Sequence, residues 1–133
     1  MSTLRLTTIS NQSGSSSVPS DTVINGSAKA WVNFNGTGTV AIRASFNVSS
    51  ITDNGVGNYT LNFTNSVADA NYSTLVTASD FNTSGIYSGG VAARVPTVGT
   101  LAVSSVQVFT GYQNSSSGSS LQDQAYINVS VFR

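Results

Sequence analysis

The chain has 133 residues, of which 39% are hydrophobic, and its five basic and five acidic side chains give a formal net charge of zero. Only 8% of the residues are charged, against about 25% in a typical domain, so the sequence offers no basic surface for a nucleic acid or an anionic membrane. It has no cysteine, which excludes disulfide bonds and a thiolate metal site.

The first 27 residues are predicted to form an extended N-terminal arm and linker. Leu4 and Leu6 fall on one side of an extended chain, and the tract that follows is rich in Ser and Gly, so it cannot bury enough surface to fold alone. Such an arm suits the addition of a strand to the sheet edge of another molecule, and a frayed terminus is the alternative. We expect residues 28–133 to form the folded domain.

From Ala28 onward, apolar and polar residues alternate with a period of two, which predicts half-buried β-strands. In the first of these strands Val32 and Phe34 share one face and Trp31 lies on the other. An Asn-Gly-Thr-Gly turn at residues 35–38 favours a hairpin. The inward face of the following strand is predicted to carry Val40, Ile42, Ala44 and Phe46.

The remaining strands are predicted at residues 59–64, 72–79, 91–95, 101–112 and 125–132, with loops at 80–90 and 113–123. About seven strands at regular spacing, with no predicted helix, indicate an all-β fold, an antiparallel β-sandwich or jelly-roll-like domain. We expect its core to contain Val32, Phe34, Ile42, Leu61, Phe63 and Ile127.

The sequence lacks the residues that common catalytic sites require. It has no Glu and no His, and its Asp residues fall in predicted turns and loops, where Asp caps turns through its own side chain. Serine nucleophiles would have only Lys29 as a base. Residues 53–55 resemble the start of a calcium loop, but the downstream Glu is absent and a hairpin turn explains the same letters. We therefore expect no enzymatic activity, no cofactor and no metal.

Three aromatic residues on outward strand faces predict a subunit interface. Trp31 lies opposite the predicted core face, and a large exposed indole is costly unless a partner or another part of the chain covers it. Tyr126 and Phe132 share the outward face of the last strand.

A second set of aromatic residues predicts a ligand-binding surface. Phe81, Tyr87 and Tyr112 lie in or beside loops, and loops carry much of the recognition in β-proteins. Their neighbours include Ser, Gly and Asn, the mixture used by adaptable recognition surfaces. The amide and hydroxyl donors beside them would be Asn82, Ser88 and Gln113.

The block at residues 28–72, AKAWVNFNGTGTVAIRASFNVSSITDNGVGNYTLNFTNSVADANY, resembles the C-terminal β-domain of tail-fibre and other virion appendage proteins of tailed bacteriophages, notably those of cyanobacteria. The N-terminal LRLTTISNQSGSSSVPSD and the C-terminal AYINVSVFR are also similar to members of that group. The resemblance covers most of residues 28–76 and the last strand, and does not extend to residues 80–113.

The resemblance implies a non-enzymatic structural protein of the virion, synthesised in the host cytoplasm, without membrane insertion or nucleic-acid binding. It implies a homotrimer whose N-terminal arm, through Leu4, Leu6 and Ile9, contacts other virion proteins. The β-domain would contact the host surface, where a glycan is the expected ligand. Whole fibres usually have long shafts, so an arm with a tip also fits a short appendage on tail, neck or head. A capsid decoration protein and a stand-alone carbohydrate-binding lectin remain the alternatives.

Overall fold

Two four-stranded antiparallel sheets pack face to face in the computed structural model, which describes residue 3 and residues 5–79, 93–94, 97–114 and 118–133. The chain forms, in order, β1 (Thr8–Ser10), β2 (Ser17–Pro19), α1 (Ser20–Gly26), β3 (Ala28–Asn35), β4 (Ala41–Phe46), β5 (Val48–Asp53), β6 (Asn58–Phe63), β7 (Ser73–Ser79), β8 (Ala93–Arg94), β9 (Thr97–Ala102), β10 (Ser105–Phe109), β11 (Gly111–Asn114), β12 (Gly118–Leu121) and β13 (Tyr126–Phe132). The all-β sandwich confirms the fold class predicted from the alternating pattern.

Sheet I has the strand order β4-β3-β13-β7, and sheet II has the order β5-β6-β10-β9. Neighbouring strands within both sheets are antiparallel. Smaller sheets join β12, β11 and β8, and β1 with β2. The chain passes from sheet I to sheet II at Asn47, which lies between β4 and β5 and adopts a φ of 56°. This left-handed conformation lets one residue turn the chain from one layer to the other.

The core lies between the two sheets and consists of the inward side chains of both. Val32 and Phe34 of β3 belong to one buried cluster with Tyr59 and Leu61 of β6. The rings of Phe34 and Tyr59 meet edge to face with their centroids 5.2 Å apart, an arrangement that aromatic quadrupoles favour. Five of the six predicted core residues are buried: Val32, Phe34, Leu61, Phe63 and Ile127.

The sixth predicted core residue, Ile42, is 36% exposed, so that prediction is wrong. The pairing of β3 with β4 shifts between Asn33 and Phe34, which leaves an extra residue on β4. A bulge of this kind reverses the inward and outward alternation of a strand. Phe46 therefore pairs with Trp31 on the outward side. Ile42 pairs with Phe34 on the inward side, but it stays partly exposed because β4 is an edge strand with no neighbour on its other side.

The strand boundaries differ from the prediction at three places. Residues 101–112 form parts of three strands, because a turn at residues 103–104 ends β9 and Thr110 separates β10 from β11. The predicted loop at residues 113–123 contains β12. β5 was not predicted as a separate strand, because the sequence alternation runs on through Asn47 without a turn signal.

The N-terminal segment contains a short hairpin and one helix, which was not predicted. β1 and β2 form a hairpin, and α1 follows directly after Pro19, with Asp21 in its first turn. None of the residues of α1 is buried. With only seven residues, α1 is too short for a helical period of apolar residues to show in the sequence. The division at residue 27 between arm and domain stays a prediction.

Candidate functional site

The outward face of sheet I carries exposed apolar side chains on three of its four strands, and Ser130 holds the corresponding position on the fourth strand, β13. Trp31 pairs with Phe46 of β4 and with Ser130 of β13, and Ser130 pairs with Leu75 of β7. Residues paired across neighbouring strands share one face of a sheet. Phe46 is 55% exposed, Trp31 40% and Leu75 57%. These three residues are called the apolar row below.

A ladder of neutral polar side chains lies beside the apolar row on the same face. Asn33 Nδ2 donates to Asn128 Oδ1 at 2.6 Å, and Asn128 Nδ2 donates to Thr77 Oγ1 at 3.3 Å. These bonds join β3, β13 and β7 through side chains as well as through the backbone. Because the amides already bond each other, covering this ladder with another surface costs less than covering unpaired polar groups.

The three residues predicted for a subunit interface all lie on this outward face. Trp31 belongs to the apolar row, while Tyr126 and Phe132 lie near opposite ends of β13 and are half-buried. The Arg43 guanidinium lies 4.2 Å from the centroid of the Tyr126 ring, a cation–π distance. The structure thus brings the three together on one surface; their role in an interface stays a prediction.

Sequence reasoning missed Phe46 and Leu75. Phe46 was assigned to the inward face, since nothing in the letters of β4 marks its bulge. In β7 the neighbours Leu75 and Val76 are both apolar, so the alternation does not say which one points inward. In the structure Val76 packs against the core and Leu75 is exposed.

The outward face of sheet II differs, because neutral polar side chains make up most of it, with the half-buried Phe109 at one end of β10. Asn62 Nδ2 donates to Ser50 Oγ at 3.1 Å and to Thr52 Oγ1 at 3.0 Å. Gln107 Nε2 donates to Asn58 Oδ1 at 2.9 Å. The two outer faces of the sandwich are therefore chemically distinct, one with an apolar row and the other with amides and hydroxyls.

The most buried polar cluster of the described residues centres on Tyr59. Its hydroxyl lies 2.6 Å from Asp123 Oδ1 and 3.0 Å from the Gly36 carbonyl, and the Gly57 N–H donates to the same Asp123 oxygen at 2.7 Å. Burial first, and then the bond to Asp123 and its charge, raise the pKa of Tyr59. A phenol held in its protonated form donates hydrogen bonds but does not act as a base. This cluster therefore ties three loops together.

Of the three predicted ligand-binding aromatic residues, Phe81 and Tyr87 lie outside the described residues, and so do the predicted donors Asn82 and Ser88. Tyr112 lies in β11, where it pairs with Ser120 of β12. Leu4 of the predicted attachment segment also lies outside. Leu6 and Ile9 are 53% and 45% exposed. The structure does not test the predicted glycan site or the attachment site.

Within the described part of the chain, no group of three His, Cys, Asp or Glu side chains is placed to hold a metal ion. Nor does any described helix have the length and apolar character needed to cross a membrane. No protein-family model matches the chain, and the comparisons with curated proteins and with solved structures gave no match.

Proposed function

We propose that the chain is a non-enzymatic structural subunit of a bacteriophage virion, a short fibre or fibre-tip appendage that assembles with copies of itself through the outward face of sheet I. The observation that carries the proposal is the apolar row of Trp31, Phe46 and Leu75. The phage setting comes from the resemblance of residues 28–76 and of the last strand to appendage proteins.

Single exposed apolar residues are ordinary on protein surfaces, so the arrangement of these three is what supports an interface. They form one row, on the outer face of one sheet, while sheet II presents neutral polar groups. Burying the exposed parts of three large side chains contributes on the order of a few kcal/mol per chain. That is comparable with the lower estimates, about 4 kcal/mol, for the cost of association.

The low charge of the chain also favours assembly. With a formal net charge of zero, copies do not repel each other over a distance. The Asn33–Asn128–Thr77 ladder beside the apolar row keeps its polar groups bonded when water is removed. A contact built on this face therefore meets little opposition from charge or from unpaired polar groups.

The homotrimer and the attachment to other virion proteins through the N-terminal arm come from the resemblance to phage fibres. Contact with a host-surface glycan has the same basis. Two experiments test the proposal. Light scattering after size exclusion gives the mass of the protein at micromolar concentration, where we expect three chains. Gold-labelled antibodies against the chain, applied to intact particles, should decorate an appendage; labelling of a regular lattice over the shell would favour a capsid decoration protein.

A further inference from the structure

We infer that α1 of one copy packs on the apolar row of a second copy. The inference rests on the proposed self-assembly and says which surfaces meet. It commits to one occupant for the outward face of sheet I, the segment Ser20–Gly26 of a neighbouring chain.

The first support is that α1 exposes apolar side chains that its own copy does not cover. Val23 is 41% exposed and Ile24 is 58% exposed, and the helix buries none of its residues. Isolated helices of fewer than about 12 residues are marginal in water, because their stability comes from packing one face on another surface. A seven-residue helix with two exposed apolar side chains is suited to such a surface.

The second support is that α1 leads directly into β3, the strand of sheet I that carries Trp31. The helix joins β3 through Ser27, whose N–H donates to the Val23 carbonyl at 3.0 Å and whose Oγ donates to the Ile24 carbonyl at 3.1 Å. Lys29 of β3 donates from Nζ to the Ile24 carbonyl and to Ser27 Oγ. These bonds fix the end of α1 at the start of β3, the strand that carries the 40% exposed Trp31.

The dimensions and charges of the two surfaces also match. A helix of seven residues is about 10 Å long at 1.5 Å per residue. The apolar row spans three strand spacings, or about 14 Å. Asp21 is the acidic residue in the first turn of α1, whereas the outward face of sheet I carries the Arg43 guanidinium over the Tyr126 ring. The charged groups therefore attract across the contact that the apolar side chains form.

This contact explains a trimer better than a contact of two identical faces does. The helix and the apolar row are different surfaces, so each copy packs its helix on one neighbour and binds the helix of another neighbour with its apolar row. Such a heterologous contact closes into a ring, for example of three copies, whereas two identical faces meeting across a two-fold axis give a dimer. The hairpin residues Leu6 and Ile9 remain available for other virion proteins.

The test uses two full-length variants that remove one half of the contact each. Ile24→Asp changes the helix side of the contact, and Leu75→Asp changes the apolar row on which the helix packs. Val56→Asp is the control, because Val56 is 61% exposed and lies in the turn between β5 and β6, away from both surfaces. Val23→Asp serves as a second helix variant. All four positions are exposed, so we expect each variant to keep the secondary structure of the unchanged protein by circular dichroism. A variant that does not assemble should unfold at a somewhat lower temperature, because association stabilises the folded chain.

We expect Ile24→Asp, Val23→Asp and Leu75→Asp each to be a monomer by light scattering, with the dissociation constant for self-association raised at least about tenfold. The control Val56→Asp should assemble like the unchanged protein. Mixing Ile24→Asp with Leu75→Asp should give a one-to-one complex, because one intact helix meets one intact row. Normal assembly of Ile24→Asp and Val23→Asp would overturn the inference and leave self-assembly through the face standing. A mixture that stays monomeric would also overturn it. A monomeric unchanged protein would refute the proposed function itself.

Discussion

The side-chain amide of Asn47 bonds both backbone groups of Asn65: its Oδ1 accepts from the Asn65 N–H at 2.8 Å, and its Nδ2 donates to the Asn65 carbonyl at 3.0 Å. The same Nδ2 donates to the Lys29 carbonyl at 3.0 Å. Among the residues that the structure describes, Asn47 is also the one non-glycine residue with a positive φ. It thus fixes the crossing between the sheets by both its backbone and its side chain.

Replacing Asn47 should separate these two contributions. We expect Asn47→Ala to lower the free energy of unfolding by about 2 to 5 kcal/mol, since it loses the amide bonds and places a Cβ in a left-handed conformation. Asn47→Gly keeps the backbone conformation at no steric cost and should lose less, about 1 to 3 kcal/mol. Urea denaturation measures both. A loss below about half a kcal/mol for Asn47→Ala would contradict this role.

The raised pKa of Tyr59 predicts a loss of stability at alkaline pH. A tyrosine whose pKa is higher in the folded protein contributes stability that is fully present below its unfolded pKa of about 10 and is lost as the pH rises above it. Burial also raises the pKa of Tyr72. Tyr59 should lower the free energy of unfolding by about 1.4 kcal/mol per pH unit in that range, and Tyr72 should add a loss in the same direction.

Tyr59→Phe tests this dependence. The variant should show a smaller alkaline slope than the unchanged protein, and Tyr72 should account for part of the slope that remains. At neutral pH it should lose about 1 to 3 kcal/mol, since the Asp123 carboxylate loses a donor. Urea denaturation at a series of pH values from 8 to about 11 measures both effects, and an unchanged alkaline slope would refute the assignment to Tyr59.

Gly36 leaves room for the Tyr59 hydroxyl. A Cβ at this position would lie 2.5 Å from Tyr59 Oη and 2.8 Å from Ile127 Cδ1. We expect Gly36→Ala to lower the free energy of unfolding by about 1 to 3 kcal/mol, the usual cost of overpacking. Gly26→Ala, where a Cβ meets nothing within 4 Å, is the control and should be neutral or slightly stabilising. Equal stability of the two variants would contradict the close packing.

Core truncations should follow the observed burial and not the sequence alternation. Leu61 is 1% exposed, so Leu61→Ala should cost about 2 to 5 kcal/mol. Ile42 is 36% exposed at the rim, so Ile42→Ala should cost less than about 1 kcal/mol. Denaturation of the two variants side by side gives the comparison. Similar losses would mean that β4 packs as deeply as β6.

The sequence was sufficient where one local pattern determines the structure. In β3, β6 and β13 the two-residue alternation runs without interruption, and their inward residues Val32, Leu61 and Ile127 are buried as predicted. The turn at residues 35–38 was correct for the same reason, because Asn and Gly tolerate the required conformations.

The sequence was insufficient where the pairing of distant strands determines which face of the sheet a side chain lies on. The bulge in β4 depends on its pairing with β3, and it turned Phe46 outward. Ile42 is exposed because β4 lies at the edge of sheet I, which also depends on the pairing of distant strands. Whether Leu75 or Val76 points inward depends on the register with β13. Two members of the apolar row were therefore not predictable from the chain, while Trp31, on a regular strand, was.

The pairing of β3 with β13 also constrains the order of events during synthesis. Asn33 and Asn128, which bond across this pair, are 95 residues apart in the chain, so the centre of sheet I cannot form until β13 has been made. Contacts over such separations slow folding. A growing chain can build the β3–β4 hairpin early, whereas the complete outward face of sheet I exists only after β13 has joined β3 to β7. The last strand to be synthesised therefore completes the sheet, and the sandwich closes only at the end of synthesis.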